Sequence, residues 1–221
     1  MYTLQSIPDF ASLIVHLVLE ELGQPYTLNT LSFDNGDLDS PAHRALSPFG
    51  KIPAMQTPDG PMFETAAILL WLADRHGALA PAPTAPDRAA FLSWFFFNNF
   101  SLHTGMMNLV HPYRAGGEDM SYPVSQIAHK KLTEELTELN AMITTSKPSW
   151  LSPDAPSILG YHLAVLMRWM KAFTYFPEHA IDSTNYPAIH AILCAMESRP
   201  AARAVALNEG LTGAFFSNPE S

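Results

Sequence analysis

The segment formed by residues 47–65 limits the possible fold more than any other part of the chain. Proline or glycine flanks each of its short apolar pieces. The pattern predicts a loop, a strand over residues 54–57, a tight turn at residues 58–60, a second short strand, and a helix whose first turn carries Glu64 and Thr65. A hairpin followed at once by a helix is therefore the centre of the predicted fold.

Ile52 and Pro53 form a candidate docking strand at the start of this hairpin. An X-Pro bond held cis in a tight turn would turn the N–H and C=O of Ile52 outward, where an extended peptide can pair with both. The first helical turn at Thr65 has free N–H groups and the positive end of the helix dipole, which favour a carboxylate. Together these features predict a pocket for a small anionic peptide.

Two segments resemble the glutathione site of the glutathione transferase superfamily, most closely its bacterial beta class: SPFGKIPA at residues 47–54 and FETAAI at residues 63–68. The resemblance implies that Ile52, beside a cis Pro53, pairs its main chain with the cysteinyl part of glutathione. It implies that Glu64 and Thr65 hold the γ-glutamyl part. Three basic residues lie within sequence reach of the remaining glycine carboxylate: Lys51, His43 and Arg44.

The composition excludes several classes of protein. Of the 221 residues 48% are hydrophobic and 15% charged, which indicates a compact globular chain with a sizeable core. The formal net charge of −9, without a stripe of Lys or Arg, argues against nucleic acid as a partner. The sequence shows neither a signal peptide nor an apolar segment long enough to span a bilayer, so a cytoplasmic protein without membrane contact is expected.

The chain has one cysteine, Cys194, and nine histidines. A single cysteine excludes an internal disulfide, a Cys-x-x-Cys pair and a cysteine-based zinc site. Cys194 lies in a helical pattern and is predicted to be a small buried residue. The histidines form no His-x-x-x-His pair, so no metal site is expected.

The order of patterns predicts an α/β plus all-α chain. Residues 1–77 read as strand, helix, strand, then strand, strand, helix around a cis-proline, which resembles a thioredoxin-like domain without its cysteines. Asp9 is a candidate cap for the first helix, predicted over residues 11–22, and the second strand is predicted over residues 26–33. The segment 78–86 has three prolines and reads as a linker, and residues 87–221 read as an all-helical domain.

The helical domain holds the candidate pocket for a second, apolar substrate. An aromatic-rich helix over residues 91–107 can line such a pocket, although aromatic residues at helical spacing are as well explained by core or dimer packing. The residues chosen for the pocket are Phe10, Phe100, Met106 and Tyr113. Residues 111–125 read as a loop long enough to be a lid. Ser157 opens a central helix, and the family's Ser-x-x-Asp capping box has Gly160 in place of its acid.

A glutathione transferase must hold the ligand thiol as a thiolate, and the start of the first helix is the natural place. Ala11 stands where the beta class has a cysteine, and the resemblance makes the next residue, Ser12, the candidate hydroxyl donor. Ser6, at the end of the first strand, is the alternative. Ser12 also shares a helix face with His16 and Glu20, so it can equally belong to a solvated stripe.

His103 is the second candidate donor to the sulfur. Its segment, Leu-His-Thr-Gly, resembles a beta-class Leu-His-x-Gly segment whose histidine reaches the sulfur from the second domain. The histidine can donate a hydrogen bond or carry charge near pH 7. The beta-class asparagine seven residues earlier falls on Phe96, and Asn99 lies one turn away.

The resemblance covers the whole chain and implies a cytoplasmic, homodimeric glutathione transferase that conjugates glutathione to small hydrophobic electrophiles in detoxification, without a metal. Two alternatives remain open at this point. The same site suits a glutathione-dependent reductase, dehalogenase or isomerase, and the missing cysteine also fits a homologue that binds glutathione without turnover. The sequence does not identify the electrophile.

Overall fold

The computed structural model describes residues 1–220, and within them four strands form one mixed sheet. The strands are β1 Tyr2–Ser6, β2 Tyr26–Thr30, β3 Ala54–Thr57 and β4 Gly60–Phe63. They lie in the order β2-β1-β3-β4; β1 and β2 are parallel, and the other neighbours are antiparallel. The predicted strand over residues 26–33 ends early, at Thr30, because Thr30 pairs with the last residue of β1.

The helices of this half are α1 Ser12–Glu21, α2 Pro41–Leu46 and α3 Thr65–His76. The helix predicted after the hairpin is confirmed, and it ends at Gly77, which has a φ of 61°. The Ile52–Pro53 bond is cis. The predicted thioredoxin-like arrangement of strand, helix, strand, then strand, strand, helix is therefore confirmed.

Asp9 does not cap α1, contrary to the prediction. The cap position is Ala11, which makes no side-chain cap hydrogen bond. Asp9 has a φ of 57°, and its carboxylate accepts hydrogen bonds from Arg168 and Trp169 instead. The local pattern could not reveal this, because the two partners lie about 160 residues further along the chain.

The rest of the chain is helical. Its helices are α4 Arg88–Phe97, α5 His103–Val110, α6 Tyr113–Gly116, α7 Ser121–Ser146, α8 Ile158–Ala172, α9 Pro187–Ser198 and α10 Pro200–Glu209, with a π-helix over Asn98–Leu102. The predicted lid at residues 111–125 is wrong in part, because α6, a 3₁₀ turn at Glu118–Met120 and the start of α7 occupy it. Within residues 1–220, no helix is both long and apolar enough to cross a membrane.

α8 is the central helix of this half, as predicted. Every residue from Ile158 to Met170 is buried. The Ser157 hydroxyl accepts a 2.9 Å hydrogen bond from the N–H of Gly160, so half of the capping box is present. The Ile158 N–H donates to the carbonyl of Leu79, which ties the start of α8 to the connection between the two halves.

Cys194 is exposed, so the prediction of a buried cysteine is wrong. The buried face of α9 consists of Ile189, Ile192, Leu193 and Met196. Cys194 falls outside this set, and its Sγ lies 3.6 Å from Nε2 of His190 on the preceding turn. The run of apolar residues around it identified a helix but not the face that the helix buries.

The C-terminal end of α1 is joined to the second half through Glu21. Its carboxylate accepts hydrogen bonds from Nε and Nη2 of Arg199, at 2.8 and 2.6 Å, and from the Tyr161 hydroxyl at 2.5 Å. Burial raises the pKa of Glu21, but these hydrogen bonds and the charge of Arg199 outweigh burial, so the pKa lies below its usual value. The pair therefore stays ionised at neutral pH.

We expect Ser157→Ala to lower the free energy of unfolding by about 1 kcal/mol, because it leaves the Gly160 N–H at the start of α8 without its acceptor. Ser93→Ala on the exposed side of α4 is the matched control, with an expected change within about 0.5 kcal/mol. Urea unfolding of both variants measures the difference. Equal changes in the two variants would contradict a capping role for Ser157.

Candidate functional site

The strand register brings three chain segments to one edge of the sheet. Gln5 pairs with Ala54, and Ala54 pairs with Phe63, so these residues form one row across β1, β3 and β4. At this edge of the sheet the chain passes from β1 to α1 and from β4 to α3, and it enters β3 from residue 52. Because adjacent strands lie about 4.8 Å apart, the outer two strand ends are separated by about 10 Å, the length of about three extended residues.

Ile52 presents an unpaired main chain at this edge. Neither its N–H nor its C=O makes a hydrogen bond to any part of the chain that the structure describes, residues 1–220. The loop before it is held by His43, whose Nε2 lies 3.2 Å from the carbonyl of Lys51 and donates to it, and by Ser47, whose hydroxyl accepts from the Lys51 N–H at 3.1 Å. The cis bond predicted at Pro53 is confirmed.

Glu64 and Thr65 lie at the start of α3, on the same edge. Glu64 has a φ of 72°, and its carbonyl accepts the first hydrogen bond of the helix from Ile68 at 3.0 Å. The N–H groups of the first turn of α3, before Ile68, have no acceptor within the helix and point out of its N-terminal end, where an anion is favoured. The Glu64 side chain is exposed and Thr65 is buried.

The structure distinguishes the three candidate cations near Ile52. Arg44 donates to the carbonyl of Pro48 at 2.8 Å and to the carboxylate of Asp39 at 2.5 Å, so its guanidinium closes the loop. His43 is buried and holds the Lys51 carbonyl. Lys51 is exposed, and within residues 1–220 its ammonium forms no ion pair. Lys51 is thus the cation that remains available to a ligand carboxylate.

The start of α1 offers main-chain donors. Within the described residues, the N–H groups of Ala11 and Ser12 have no acceptor. The Ser12 side chain is fully buried; its hydroxyl donates to the carbonyl of Ile7 and accepts from the Ile7 N–H, both at 3.1 Å. The hydroxyl of Ser6 donates to it at 3.3 Å. In this arrangement both serine hydroxyls already donate their hydrogen bonds within the protein. The main-chain N–H groups of Ala11 and Ser12 are the donors still available to a ligand sulfur.

His103 lies close to this loop through Trp169. The rings of His103 and Trp169 have centroids 6.3 Å apart, and the Trp169 indole N–H donates to Asp9 at 3.1 Å. Burial lowers the pKa of His103 to about 4, so the side chain is neutral at pH 7 and donates a hydrogen bond without carrying charge. The sequence pattern did not single out Trp169, because the tryptophan sits in the continuous apolar run of α8.

His162 completes this cluster and was also missed from the sequence. Its Nε2 lies 3.3 Å from Nδ1 of His103, and its own Nδ1 is buried without a partner in residues 1–220. A proton on that buried nitrogen would be left unpaired, so we infer that His162 Nε2 donates to His103 Nδ1. His103 then carries its own proton on Nε2, the other ring nitrogen.

The four residues chosen for an apolar pocket are not brought together. Phe10 is exposed and packs on Phe33, with centroids 5.1 Å apart, while Tyr113 packs on His111 and Tyr175 in another aromatic group. Phe100 lines a separate groove of about 300 Å³ between α5 and α7. Met106 is 2% exposed and belongs to the core. Helical periodicity alone did not distinguish these faces.

The described part of the chain, residues 1–220, contains no group of three His, Cys, Asp or Glu side chains able to hold a metal ion. The candidate site thus consists of main-chain N–H and C=O groups, the Glu64 and Thr65 pair and Lys51, with the neutral His103 near the loop before α1. Such an arrangement suits a small peptide that carries carboxylates and a thiol.

Comparison with known proteins gives consistent matches. Residues 11–75 match the family model described as glutathione S-transferase, N-terminal domain. The chain is 27% identical over 207 residues to glutathione S-transferase GST-4.5 of Xanthomonas campestris, covering 92% of this chain and 97% of that protein. It is 29% identical over 195 residues to the disulfide-bond oxidoreductase YfcG of Escherichia coli, covering 85% and 86%.

Among solved structures, a sphingomonad glutathione S-transferase complexed with glutathione is similar, with 26% identity and a TM-score of 0.75. The match covers 95% of this chain and 100% of that chain. The similarity therefore extends over both the sheet-containing half and the helical half.

The neutral histidine pair makes the stability of the protein dependent on pH. Burial lowers the pKa of His103 to about 4, and burial, then the charge of His103, hold the pKa of His162 well below its usual value. Below pH 6.5 these two histidines bind protons in the unfolded chain but stay neutral in the folded chain. The free energy of unfolding therefore decreases as pH falls from 6.5 toward 4. Each histidine adds up to about 1.4 kcal/mol per pH unit to this slope.

We expect His162→Leu to show a shallower loss of stability than the unmodified protein over this pH range. Urea unfolding at pH 7, 5.5 and 4.5 measures both slopes, and the carboxylates that also titrate are common to both proteins. Parallel slopes would show that the pair does not titrate as described.

Proposed function

The chain belongs to the glutathione transferase superfamily, and from this premise we propose that it binds glutathione and transfers the glutathione thiolate to small hydrophobic electrophiles. The observation that carries the proposal is the common sheet edge. There, the free main chain of Ile52 beside Pro53, the start of α1 and the start of α3 lie within the length of one tripeptide.

In the proposed complex the main chain of glutathione runs along Ile52 as an added strand. The γ-glutamyl end lies at Glu64 and Thr65, where the exposed carboxylate meets the ligand's ammonium group and the helix start meets its carboxylate. The glycine carboxylate meets the ammonium group of Lys51. Every charged group of the tripeptide then has an opposite charge or a set of N–H donors.

The sulfur lies at the start of α1 in this proposal. A free thiol is mostly protonated at pH 7, and the anion is the nucleophile, so the site must stabilise the thiolate. The N–H groups of Ala11 and Ser12 and the dipole of α1 supply this stabilisation, with a hydrogen bond from His103 Nε2. Ser12 then contributes through its main chain, and its hydroxyl holds the loop to Ile7.

The electrophile approaches the sulfur from the helical half. Phe10 is 43% exposed and lies one residue before the free N–H groups, so its ring is available to an apolar substrate. The thiolate attacks the electrophilic carbon, the sulfur–carbon bond forms, and the leaving group departs with the electron pair or, in an addition, the product takes up a proton. Tyr113 stays a candidate for the far side of the pocket.

A homodimer and a cytoplasmic location stay parts of the proposal. Phe96 and Phe100 are exposed at the junction of α4 and the π-helix, and their rings stack with centroids 6.0 Å apart. Exposed apolar groups of this kind are typical of protein–protein contacts. Sedimentation of the purified chain, compared with Phe100→Ser, tests whether this face joins two copies.

Reduction of disulfides by glutathione is the second candidate, favoured by the similarity to the disulfide-bond oxidoreductase YfcG. Ala11 cannot form a mixed disulfide, so in this reaction the bound glutathione thiolate would attack the substrate disulfide directly. Parallel assays with a panel of electrophiles and with a glutathione mixed disulfide separate the two reactions. Glutathione binding without either activity would indicate a binding protein.

We expect Lys51→Met to weaken glutathione binding about tenfold in calorimetry, because one ion pair with the glycine carboxylate is lost. Lys130→Met on the exposed face of α7 is the control and should bind as the unmodified protein does. Glutathione with its glycine carboxylate converted to an amide gives the sharper test. If Lys51 meets that carboxylate, the amide must bind the unmodified protein and Lys51→Met almost equally.

His103→Phe keeps the ring beside Trp169 and removes the hydrogen-bond donor, so we expect the pKa of the bound glutathione thiol to rise by about one unit. Ultraviolet absorbance of the thiolate against pH measures it. Ser12→Ala should lower stability and leave the thiol pKa nearly unchanged. The reverse outcome, a shift in Ser12→Ala alone, would identify the serine hydroxyl as the donor and exclude His103.

A further inference from the structure

Asp9 is the residue through which the helical half contacts the loop before α1. Its carboxylate accepts hydrogen bonds from Nε and Nη2 of Arg168, at 3.0 and 2.5 Å, and from Nε1 of Trp169 at 3.1 Å. Its N–H donates to the carboxylate of Glu209 at 2.8 Å. Groups from α8 and α10 thus hold one residue located two positions before Ala11.

The backbone conformation of Asp9 depends on these contacts. Its φ of 57° lies in the left-handed region, which is unfavourable for a residue with a Cβ and persists only where the surroundings hold it. A glycine would take this conformation without support. The aspartate instead supplies a carboxylate for Arg168, so the conformation of the loop depends on contacts with the other half of the chain.

Arg168 is well placed to fix the loop. Its side chain is 9% exposed and projects from α8, the buried central helix. Nη1 donates to the carbonyl of Phe215 at 3.1 Å, and the guanidinium carbon lies 5.6 Å from the centre of the Phe173 ring. On the other side of Asp9, Oε1 of Glu209 lies 2.7 Å from Nδ1 of His16 on α1.

We propose that Arg168 is a positioning residue, which acts through Asp9 to aim the start of α1 at the glutathione sulfur. The inference rests on the proposed function, since it concerns the same thiol. Arg168 acts in two ways: it keeps the loop in the conformation that leaves the N–H groups of Ala11 and Ser12 free, and it neutralises the Asp9 carboxylate. Without it, an uncompensated negative charge close to the sulfur disfavours the thiolate.

The structure offers a matched control at the other end of α1. Arg199 also joins the two halves through an ion pair, with Glu21, but the pair lies at the C-terminal end of the helix. We expect Arg168→Met to raise the pKa of the bound glutathione thiol by about one unit, so that at pH 6.5 turnover falls about tenfold and recovers toward high pH. Arg168→Lys should restore part of this shift.

Arg199→Met should leave the thiol pKa unchanged although it also removes an ion pair between the halves. Equal thiol pKa values in Arg168→Met, Arg199→Met and the unmodified protein would overturn the proposal. If Arg168→Met does not fold, Arg168→Gln serves in its place, because its amide can still donate to the Asp9 carboxylate but carries no charge to compensate it.

Amide hydrogen exchange of the ligand-free protein tests the inference separately from the proposed function. Arg168→Met should speed exchange of the Phe10 and Leu13 amides, which donate to the carbonyls of Ile7 and Phe10, at least tenfold and leave residues 19–22 unchanged, and Arg199→Met should do the reverse. Failure of the unmodified protein to bind glutathione would remove the proposed function, and faster exchange confined to Phe10 and Leu13 would still support the positioning role. Unchanged exchange at these two amides would overturn it.

Discussion

The packing of α1 between the sheet and the helical half is the interaction on which the rest of the structure depends. Every side chain from Ser12 to Leu19 is buried, because the sheet lies on one side and α8 and α10 on the other. A helix enclosed in this way cannot separate from either half without exposing a large apolar area. The ion pairs of Asp9 and Glu21 at its two ends then determine its orientation relative to α8.

The candidate site follows from this packing and from the strand register. The row through Gln5, Ala54 and Phe63 places three chain ends side by side, and each of them offers main-chain groups. Because main-chain N–H and C=O groups do most of the proposed binding, the identity of the side chain at Ala11 matters less than the conformation of the loop. In the proposed complex, a chain without the beta-class cysteine can therefore still hold a thiolate.

The helical half contributes electrostatics as well as packing. It holds His103 neutral, since burial outweighs any tendency to protonate near pH 7, and it neutralises Asp9 with Arg168. Both effects act on the loop immediately before α1. In the proposed complex the two halves therefore form one site: the first half would bind the peptide, and the second would set the electrostatic environment of its sulfur.

Local patterns in the sequence were sufficient to predict the hairpin and helix around Pro53, the burial of the central helix, and the places of residues 52, 64 and 65 beside the hairpin. These depend on period, caps and turn residues, which act over a few neighbours. The contact between Asp9 and Arg168, the burial of Met106 in the core and the exposure of Cys194 became known only from the packed structure. Those outcomes depend on which faces meet and on partners as far as 159 residues apart, for which a single sequence carries no local signal.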